Sequence, residues 1–127
     1  MLNRFASFNK FVFLVIRPIP NSEEQMISVE VCYTVKPEFV AQNKRNISAF
    51  LADFRQLVDL NFLYQVYVKE DGLTFMHLSM YENEEIQQQI LQIPSFLNFQ
   101  RERDESGLEQ APQLRELTLI GSSLRLI

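Results

Sequence analysis

The chain has 127 residues, of which 46% are hydrophobic and 22% are charged, and this size and composition fit a single compact domain. A formal net charge of −4 offers no positive field to phosphate backbones or anionic lipid headgroups, so we exclude nucleic acids and membrane surfaces as partners. With one cysteine and one histidine, the chain can form neither an intrachain disulfide nor a zinc site of Cys and His ligands, and we predict no bound metal and a reducing, cytoplasmic location.

Residues 1–25 form an amino-terminal extension whose charge differs from that of the rest. Basic residues outnumber acidic ones by one in this segment, whereas the remainder carries a charge of −5. Its apolar run at residues 11–16 is shorter than the roughly 20 residues of a membrane span. Arg17 and Pro18 follow the run in place of the small residues of a signal peptide. We interpret the extension as an accessory strand or as sequence upstream of a start at Met26, with a targeting leader as the third alternative.

The next segment predicts a strand followed by a helix. Residues 27–35 alternate between apolar and polar side chains, which is the period of a strand with one buried face. Pro37 and Glu38 suit the first turn of a helix, which we expect to end near residues 59–61. Apolar residues three and four positions apart form one stripe along this helix; they are Val40, Ile47, Phe50, Leu51, Phe54, Leu57 and Val58.

A β-hairpin is predicted next. Residues 62–69 and 73–81 are rich in β-forming residues, and the turn signal Glu-Asp-Gly at residues 70–72 separates them. In the second strand, one face holds Phe75, His77, Ser79 and Tyr81 and the other holds Met76, Leu78 and Met80. Since both faces are largely apolar, we predict that the first contacts the helices and the second a further subunit.

The last part of the chain predicts an interrupted helix and a final strand. Asn83 can cap a helix that Pro94 interrupts, and a new helical segment runs from Pro94 to residues 101–106. Residues 114–120 have the pattern of the last strand. The order β-α-β-β-α-β predicts an α+β domain with an antiparallel four-stranded sheet and the helices on one of its faces.

Three segments resemble the antibiotic biosynthesis monooxygenase family. They are residues 33–38, where a strand ends in Val-Lys-Pro, residues 75–85, where a strand ends in an aromatic residue followed by acids, and residues 93–96, with the sequence Ile-Pro-Ser-Phe. The resemblance covers about residues 26–122, leaving residues 1–25 as an extension and residues 123–127 as a tail. It implies a ferredoxin-like protomer in a dimeric α/β barrel, so that two sheets meet face to face and the partner is a second copy of the chain.

The resemblance also implies which positions of this chain correspond to the site residues of the family. Members that degrade haem have an Asn on the first strand, a Trp at the end of the third strand and a His ligand on the last helix, where this chain has Val31, Tyr81 and Gln100. Members that act on quinol-like or signalling molecules have a His and an acid where this chain has Ile90 and Ser79. We therefore expect no haem or other cofactor, and Tyr81 is the only family site residue retained as an aromatic.

His77 is the one candidate for a catalytic base, because its unperturbed pKa lies near neutrality. We predict a pocket between its strand face and the helices, which suits a small apolar or aromatic ligand. The polar residues of this pocket are Tyr33, Ser79 and Tyr81, and its apolar walls are Phe50, Phe54, Ile90 and Phe96. A cofactor-independent monooxygenase acting on a small aromatic or quinol-like compound would use His77 to form an electron-rich phenolate.

Other interpretations of these residues compete with the enzymatic one. His77 can be a hydrogen-bonded structural residue, and the protein can be a non-catalytic dimer that binds a small ligand or has a structural role. Cys32 is predicted to be a packing residue at the interface between two sheets. The acids at residues 82–85 suit a helix start without calcium, and Tyr33 and Phe75 lack the flanking basic residues of an RNA-binding sheet.

Overall fold

The computed structural model describes residues 26–124. The elements in chain order are β1 (Ile27–Thr34), a 3-10 turn (Pro37–Phe39), α1 (Val40–Phe54), β2 (Phe62–Val68), β3 (Thr74–Tyr81), α2 (Glu84–Leu91), α3 (Pro94–Glu105) and β4 (Gln110–Leu117). The predicted extension at residues 1–25 and the last three residues of the predicted tail lie outside the described residues. Among the described residues, no helix is both long and apolar enough to cross a bilayer.

The four strands form one antiparallel sheet in the order β2-β3-β1-β4. β1 is central, because both β3 and β4 pair with it. Its first residue, Ile27, lies opposite Tyr81 of β3, which in turn lies opposite Phe62 of β2. This topology confirms the predicted α+β, ferredoxin-like class.

One sheet face and the helices enclose the core. The buried side chains of β1 and β3 alternate along each strand, as the period of two predicts, with Ser28 at the start of β1 as the one exception. The buried apolar residues are Val29, Val31, Tyr33, Val35, Ile47, Phe50, Phe54, Phe75, Tyr81, Ile90, Leu91, Phe96 and Phe99. On the opposite face, hereafter the open face, Met76, Leu78 and Met80 are only half-buried in the single chain.

Local hydrogen bonds hold the turns that the sequence predicts. The Asp71 carboxylate accepts from the backbone N–H groups of Leu73 and Thr74 at 2.8 and 2.9 Å, and it closes the hairpin beside Gly72, whose φ is +72°. At the start of α2, the Asn83 side chain accepts from the backbone N–H of Ile86 at 2.9 Å. The predicted hairpin and helix cap are therefore confirmed.

The predicted end of the first helix, near residues 59–61, is wrong by about one and a half to two turns. α1 ends at Phe54, and the next backbone bonds, Gln56 N–H to Asp53 O and Leu57 N–H to Phe54 O, span three residues. Bonds of this 3-10 type tighten the chain and turn it away from the helix axis. Val58 consequently leaves the apolar stripe and is 82% exposed.

The last strand begins and ends earlier than predicted. Gly107 has a φ of +79°, and the Glu109 N–H then bonds to Thr34 O, so that pairing with β1 starts at once. The pairing ends where Leu117 lies opposite Ser28, because β1 begins only one residue before Ser28. Residues 118–120 therefore find no strand to pair with in the described part of the chain.

Candidate functional site

His77 lies at the centre of the candidate site, on the buried face of β3. Only 2% of the residue is exposed. Its Nε2 lies 2.8 Å from the Tyr33 hydroxyl of β1, and its Nδ1 lies 2.8 Å from the Tyr64 hydroxyl of β2. Both ring nitrogens are therefore engaged, each by a phenol from a neighbouring part of the sheet.

Asn43 of α1 extends this hydrogen-bonded chain to the helices. Its Nδ2 donates to the Tyr33 hydroxyl at 3.0 Å. A neutral imidazole has one N–H donor and one acceptor nitrogen, so one of the two tyrosines donates to His77 and the other accepts from it. Asn43, Tyr33, His77 and Tyr64, which we call the Tyr-His-Tyr chain, thus join β1, β2, β3 and α1.

Aromatic rings surround His77. The Phe99 ring is stacked on the imidazole with a centroid distance of 5.2 Å. The rings of Phe50, Phe54 and Phe96 contact each other at centroid distances of 5.0 to 5.9 Å. A ligand therefore cannot enter between these three rings unless at least one of them moves.

Burial decides the protonation of the Tyr-His-Tyr chain. It lowers the pKa of His77 to about 3, with a smaller effect from the positive charge of Arg103. It also raises the pKa of Tyr33 and of Tyr64 above the ordinary value of 10.0. All three side chains are therefore uncharged near neutral pH, and His77 is a much weaker base than a solvated histidine.

A buried ion pair lies next to this chain on α3. Arg103 is 1% exposed and Asp104 is fully buried, and Arg103 Nη2 lies 3.1 Å from Asp104 Oδ1. The guanidinium also lies over the rings of Tyr33 and Phe99, at 5.2 and 5.4 Å from their centroids. These distances are in the range of cation–π contacts.

Several buried polar atoms near these residues have no hydrogen-bond partner among the described residues. They include Oδ1 of Asn43, Oδ2 of Asp104 and both amide atoms of Gln100. All three residues are fully buried. Gln100 and Asp104 lie one turn apart on α3. Asn43 of α1 and Arg103 of α3 both contact Tyr33. α1 and α3 therefore bring polar groups to the same aromatic layer. We call Asn43, Gln100 and Asp104 the buried polar group.

Solved structures of the same fold exist, although no protein-family model matches the sequence and no curated protein is significantly similar to it. One is described as a candidate antibiotic biosynthesis monooxygenase from Bacteroides thetaiotaomicron, with a TM-score of 0.70, 13% identity, and coverage of 84% of this chain and 100% of that chain. Another, described as an antibiotic biosynthesis monooxygenase, has a TM-score of 0.65, 11% identity, and coverage of 75% and 99%. A third, a candidate from Caulobacter crescentus, has a TM-score of 0.65, 17% identity, and coverage of 76% and 92%.

This chain has the antibiotic biosynthesis monooxygenase fold. The resemblance inferred from residues 33–38, 75–85 and 93–96 is confirmed at the level of the fold. Each similar chain is covered almost completely, so the shared part is the whole βαββαβ unit.

Within this fold, the structure brings some of the predicted site residues together. Tyr33, Phe50 and Phe99 contact the His77 ring, and Phe54 and Phe96 contact Phe50. The other predicted pocket residues, Ser79, Tyr81 and Ile90, are buried in the same layer. Among the described residues, Tyr81 has no ring contact with His77, because it lies four residues farther along β3.

Sequence analysis missed four residues that contact the site, namely Asn43, Tyr64, Phe99 and Arg103. For Tyr64 only part of the signal lies in the sequence. Phe62, Tyr64 and Val66 alternate and so share one face of β2, but the register that brings Tyr64 to His77, with Val66 opposite His77, is known only from the structure. Arg103 had a usable signal, since it follows Phe96 and Phe99 at helical spacing. A charged residue on an apolar stripe is buried only with a partner, and here that partner is Asp104.

The residues present do not fit a haem or metal site. Gln100 stands where the family comparison puts a histidine ligand, and both nitrogens of the chain's only histidine are already hydrogen-bonded. Among the described residues, no three His, Cys, Asp or Glu side chains are grouped so that they could hold a metal ion. We therefore assign no role to haem or to a metal ion in this site.

Proposed function

We propose that this protein is a homodimeric small-molecule-binding protein, and that its ligand is a small aromatic compound bearing hydroxyl groups. The buried polar group carries this proposal. Leaving a buried donor or acceptor unpaired costs about 1–3 kcal/mol, and a ligand with hydroxyl groups supplies the missing partners. The buried rings of Tyr33 and Phe99 make the surroundings of these atoms apolar, which suits an aromatic ligand body.

The inventory of unpartnered atoms supports hydroxyl groups on the ligand. Asn43 Oδ1, Asp104 Oδ2 and Gln100 Oε1 are acceptors, whereas Gln100 Nε2 is the one unpartnered donor group of the buried polar group. A phenol donates a proton to such acceptors and accepts from the amide. A purely apolar compound would leave these atoms unpaired.

Cofactor-independent oxygenation of the same class of ligand is the second candidate, favoured by the Tyr-His-Tyr chain. A ligand phenol that displaced Tyr64 would meet Nδ1 in its place, and this nitrogen can accept the phenol's proton in the tautomer that carries the hydrogen on Nε2. We place binding first because burial holds the pKa of His77 at about 3, far below that of a phenol. Proton transfer to such a weak base is strongly uphill.

The test is a thermal-shift screen with phenols and hydroquinones, with their methyl ethers as matched compounds. A ligand that binds the native state raises the melting temperature, and the hydroxyl compounds should do so more than the ethers. Gln100→Met should stabilise the ligand-free protein by about 1 kcal/mol, because it removes an unpaired amide of similar shape, and should abolish the ligand-induced shift.

Gln87→Met is the matched control. Gln87 is equally buried and its amide is also unpartnered, but it lies on α2. It should keep the ligand-induced shift. Absence of a shift with every compound, or an unchanged shift in Gln100→Met, would reject the binding proposal. Oxygen consumption with the same panel that His77→Gln abolishes would establish the second candidate instead.

A further inference from the structure

The two edges of the sheet differ in how well they are protected against further pairing. β4 contains Pro112, the charged pair Arg115 and Glu116, and a register irregularity opposite Cys32 and Thr34. Proline, charges and bulges are devices that block the addition of another strand. The β4 edge therefore needs no cover.

The β2 edge has none of these devices. Its sequence, Phe-Leu-Tyr-Gln-Val-Tyr-Val, contains no charge, no proline and no glycine, and Tyr67 and Val68 are 47% and 41% exposed. In the described part of the chain, nothing pairs with the side of β2 that faces away from β3. Long apolar edges of this kind recruit a strand.

We propose that residues 11–16 of the same chain pair with this edge as a fifth strand, antiparallel to β2. These residues, Phe-Val-Phe-Leu-Val-Ile, lie outside the described residues, and every one of them is a β-branched, aromatic or leucine residue. These six residues are one fewer than the seven of β2, so the two segments can pair along nearly their whole length. A run of this composition bounded by Lys10 and Arg17 has the signature of a strand.

The connection to β1 is long enough and arrives at the correct end of the sheet. Ile27 and Phe62 are both level with Tyr81, so β1 and β2 start at the same end. From β1 to a position beyond β2 is three strand spacings, or about 14 Å. The ten residues from 17 to 26 can span up to about 33 Å.

Strand direction favours β2 over β4. A strand that ends at residue 16 beside this end of the sheet runs antiparallel to β2, which starts there. Beside β4, which ends there with Leu117 opposite Ser28, it would run parallel. The antiparallel pair is the more stable of the two.

Charge agrees with this placement. The segments that flank β2 have a net negative charge, with Asp59 before it and Lys69, Glu70 and Asp71 after it, and the proposed strand is flanked by Lys10 and Arg17. In the antiparallel arrangement Arg17 lies near Asp59, and Lys10 lies near residues 69–71. The net charges at each end of the pair are then opposite in sign.

Hydrogen exchange of the full-length chain tests the proposal. The β2 amides that do not bond to β3 should exchange about tenfold or more slowly than the outward amides of β4, and this difference should not change on dilution. Val15→Pro should abolish it, because proline removes a ladder donor, whereas Val15→Thr, which keeps a β-branched residue, should preserve it.

Protection of β1 amides in every variant verifies that the domain is folded. Rapid exchange of the outward β2 amides in the unmodified chain would overturn the proposal. Protection that survives Val15→Pro, or that disappears on dilution, would overturn it as well, since the occupant would then be another segment or a second copy.

Discussion

At the scale of the residue, the buried His77 makes the free energy of unfolding of this protein depend on pH. Its folded pKa of about 3 lies below the ordinary value of 6.5. Between these values the unfolded chain binds a proton that the folded chain does not bind, so the free energy of unfolding rises with pH in this window. Above the unfolded pKa the contribution is complete, and it is lost as the pH falls toward 3.

This linkage makes the stability of the folded protein depend on pH in a way that His77 can be shown to cause. Urea denaturation at pH 5, 6 and 7 should give a stability that rises with pH, with a contribution from His77 of up to about 1.4 kcal/mol per pH unit. His77→Gln retains a donor and an acceptor but does not titrate, so its slope should be smaller over the same range. Equal slopes for the two proteins would show that His77 is protonated or solvated in the folded state.

The two tyrosines of the Tyr-His-Tyr chain should differ in their contributions. Tyr33→Phe leaves two groups without their partner, Asn43 Nδ2 and His77 Nε2, whereas Tyr64→Phe leaves only His77 Nδ1. Since each unpaired buried group costs about 1–3 kcal/mol, chemical denaturation should show the larger loss for Tyr33→Phe. The double variant should lose less than the sum of the two, because His77 is shared. Additive losses would argue against a connected chain.

At the scale of the element, capping by Asn83 accounts for the start of α2. Asn83→Ala removes the acceptor for the Ile86 N–H and should reduce the free energy of unfolding by about 1 kcal/mol. Asn83→Asp keeps an acceptor at the same atom and should stay close to the original stability in the same denaturation experiment. An equal loss in both variants would mean that the side chain acts through something other than its oxygen.

Sequence patterns predicted an element correctly where the signal lies in its own residues. They failed where the neighbouring strand determines its limits. Alternation placed β1 and β3 almost to the residue, and Asn83 and Pro94 placed the starts of α2 and α3. The limits of β4 could not be read from its own residues, since β1 determines where pairing stops. Residues 118–120 have a strand-like composition but no partner among the described residues.

The candidate site was likewise predicted only where the signal is local. The strand period placed His77 on the buried face, and the predicted pocket included Tyr33. The contact between Tyr64 and His77 depends on the register of β2 against β3, and the Asn43 contact depends on how α1 crosses the sheet. Neither is encoded in a local pattern, and for this reason the hydrogen-bonded chain appears only in three dimensions.

At the scale of the whole molecule, the open face is the surface that the proposed homodimer would use. Met76, Leu78 and Met80 form its apolar centre, and Glu30 lies opposite Arg115 on neighbouring strands. A two-fold axis requires a surface that is complementary to a second copy of itself. The open face meets this requirement, because it has an apolar centre and charges of both signs. This arrangement supports association of two sheets.

Sedimentation measures this association. Leu78→Arg places a charge at the centre of the face and should convert a dimer into a 15.0 kDa monomer with an unchanged far-UV spectrum. Gln88→Arg, at an exposed position of α2 on the other side of the sheet, should leave the dimer in place. A 15.0 kDa particle for the unmodified chain at every concentration would refute the dimer.

The central position of β1 has a consequence for synthesis on the ribosome. β1 is the first of the described strands to be made, yet its two neighbours are β3 and β4, and β4 is the last. Almost the entire chain must therefore leave the exit tunnel before β1 is hydrogen-bonded on both sides. Until then the backbone of β1 has unpaired donors and acceptors. Nascent chains stalled before β4 has left the tunnel should therefore be the form most dependent on chaperones.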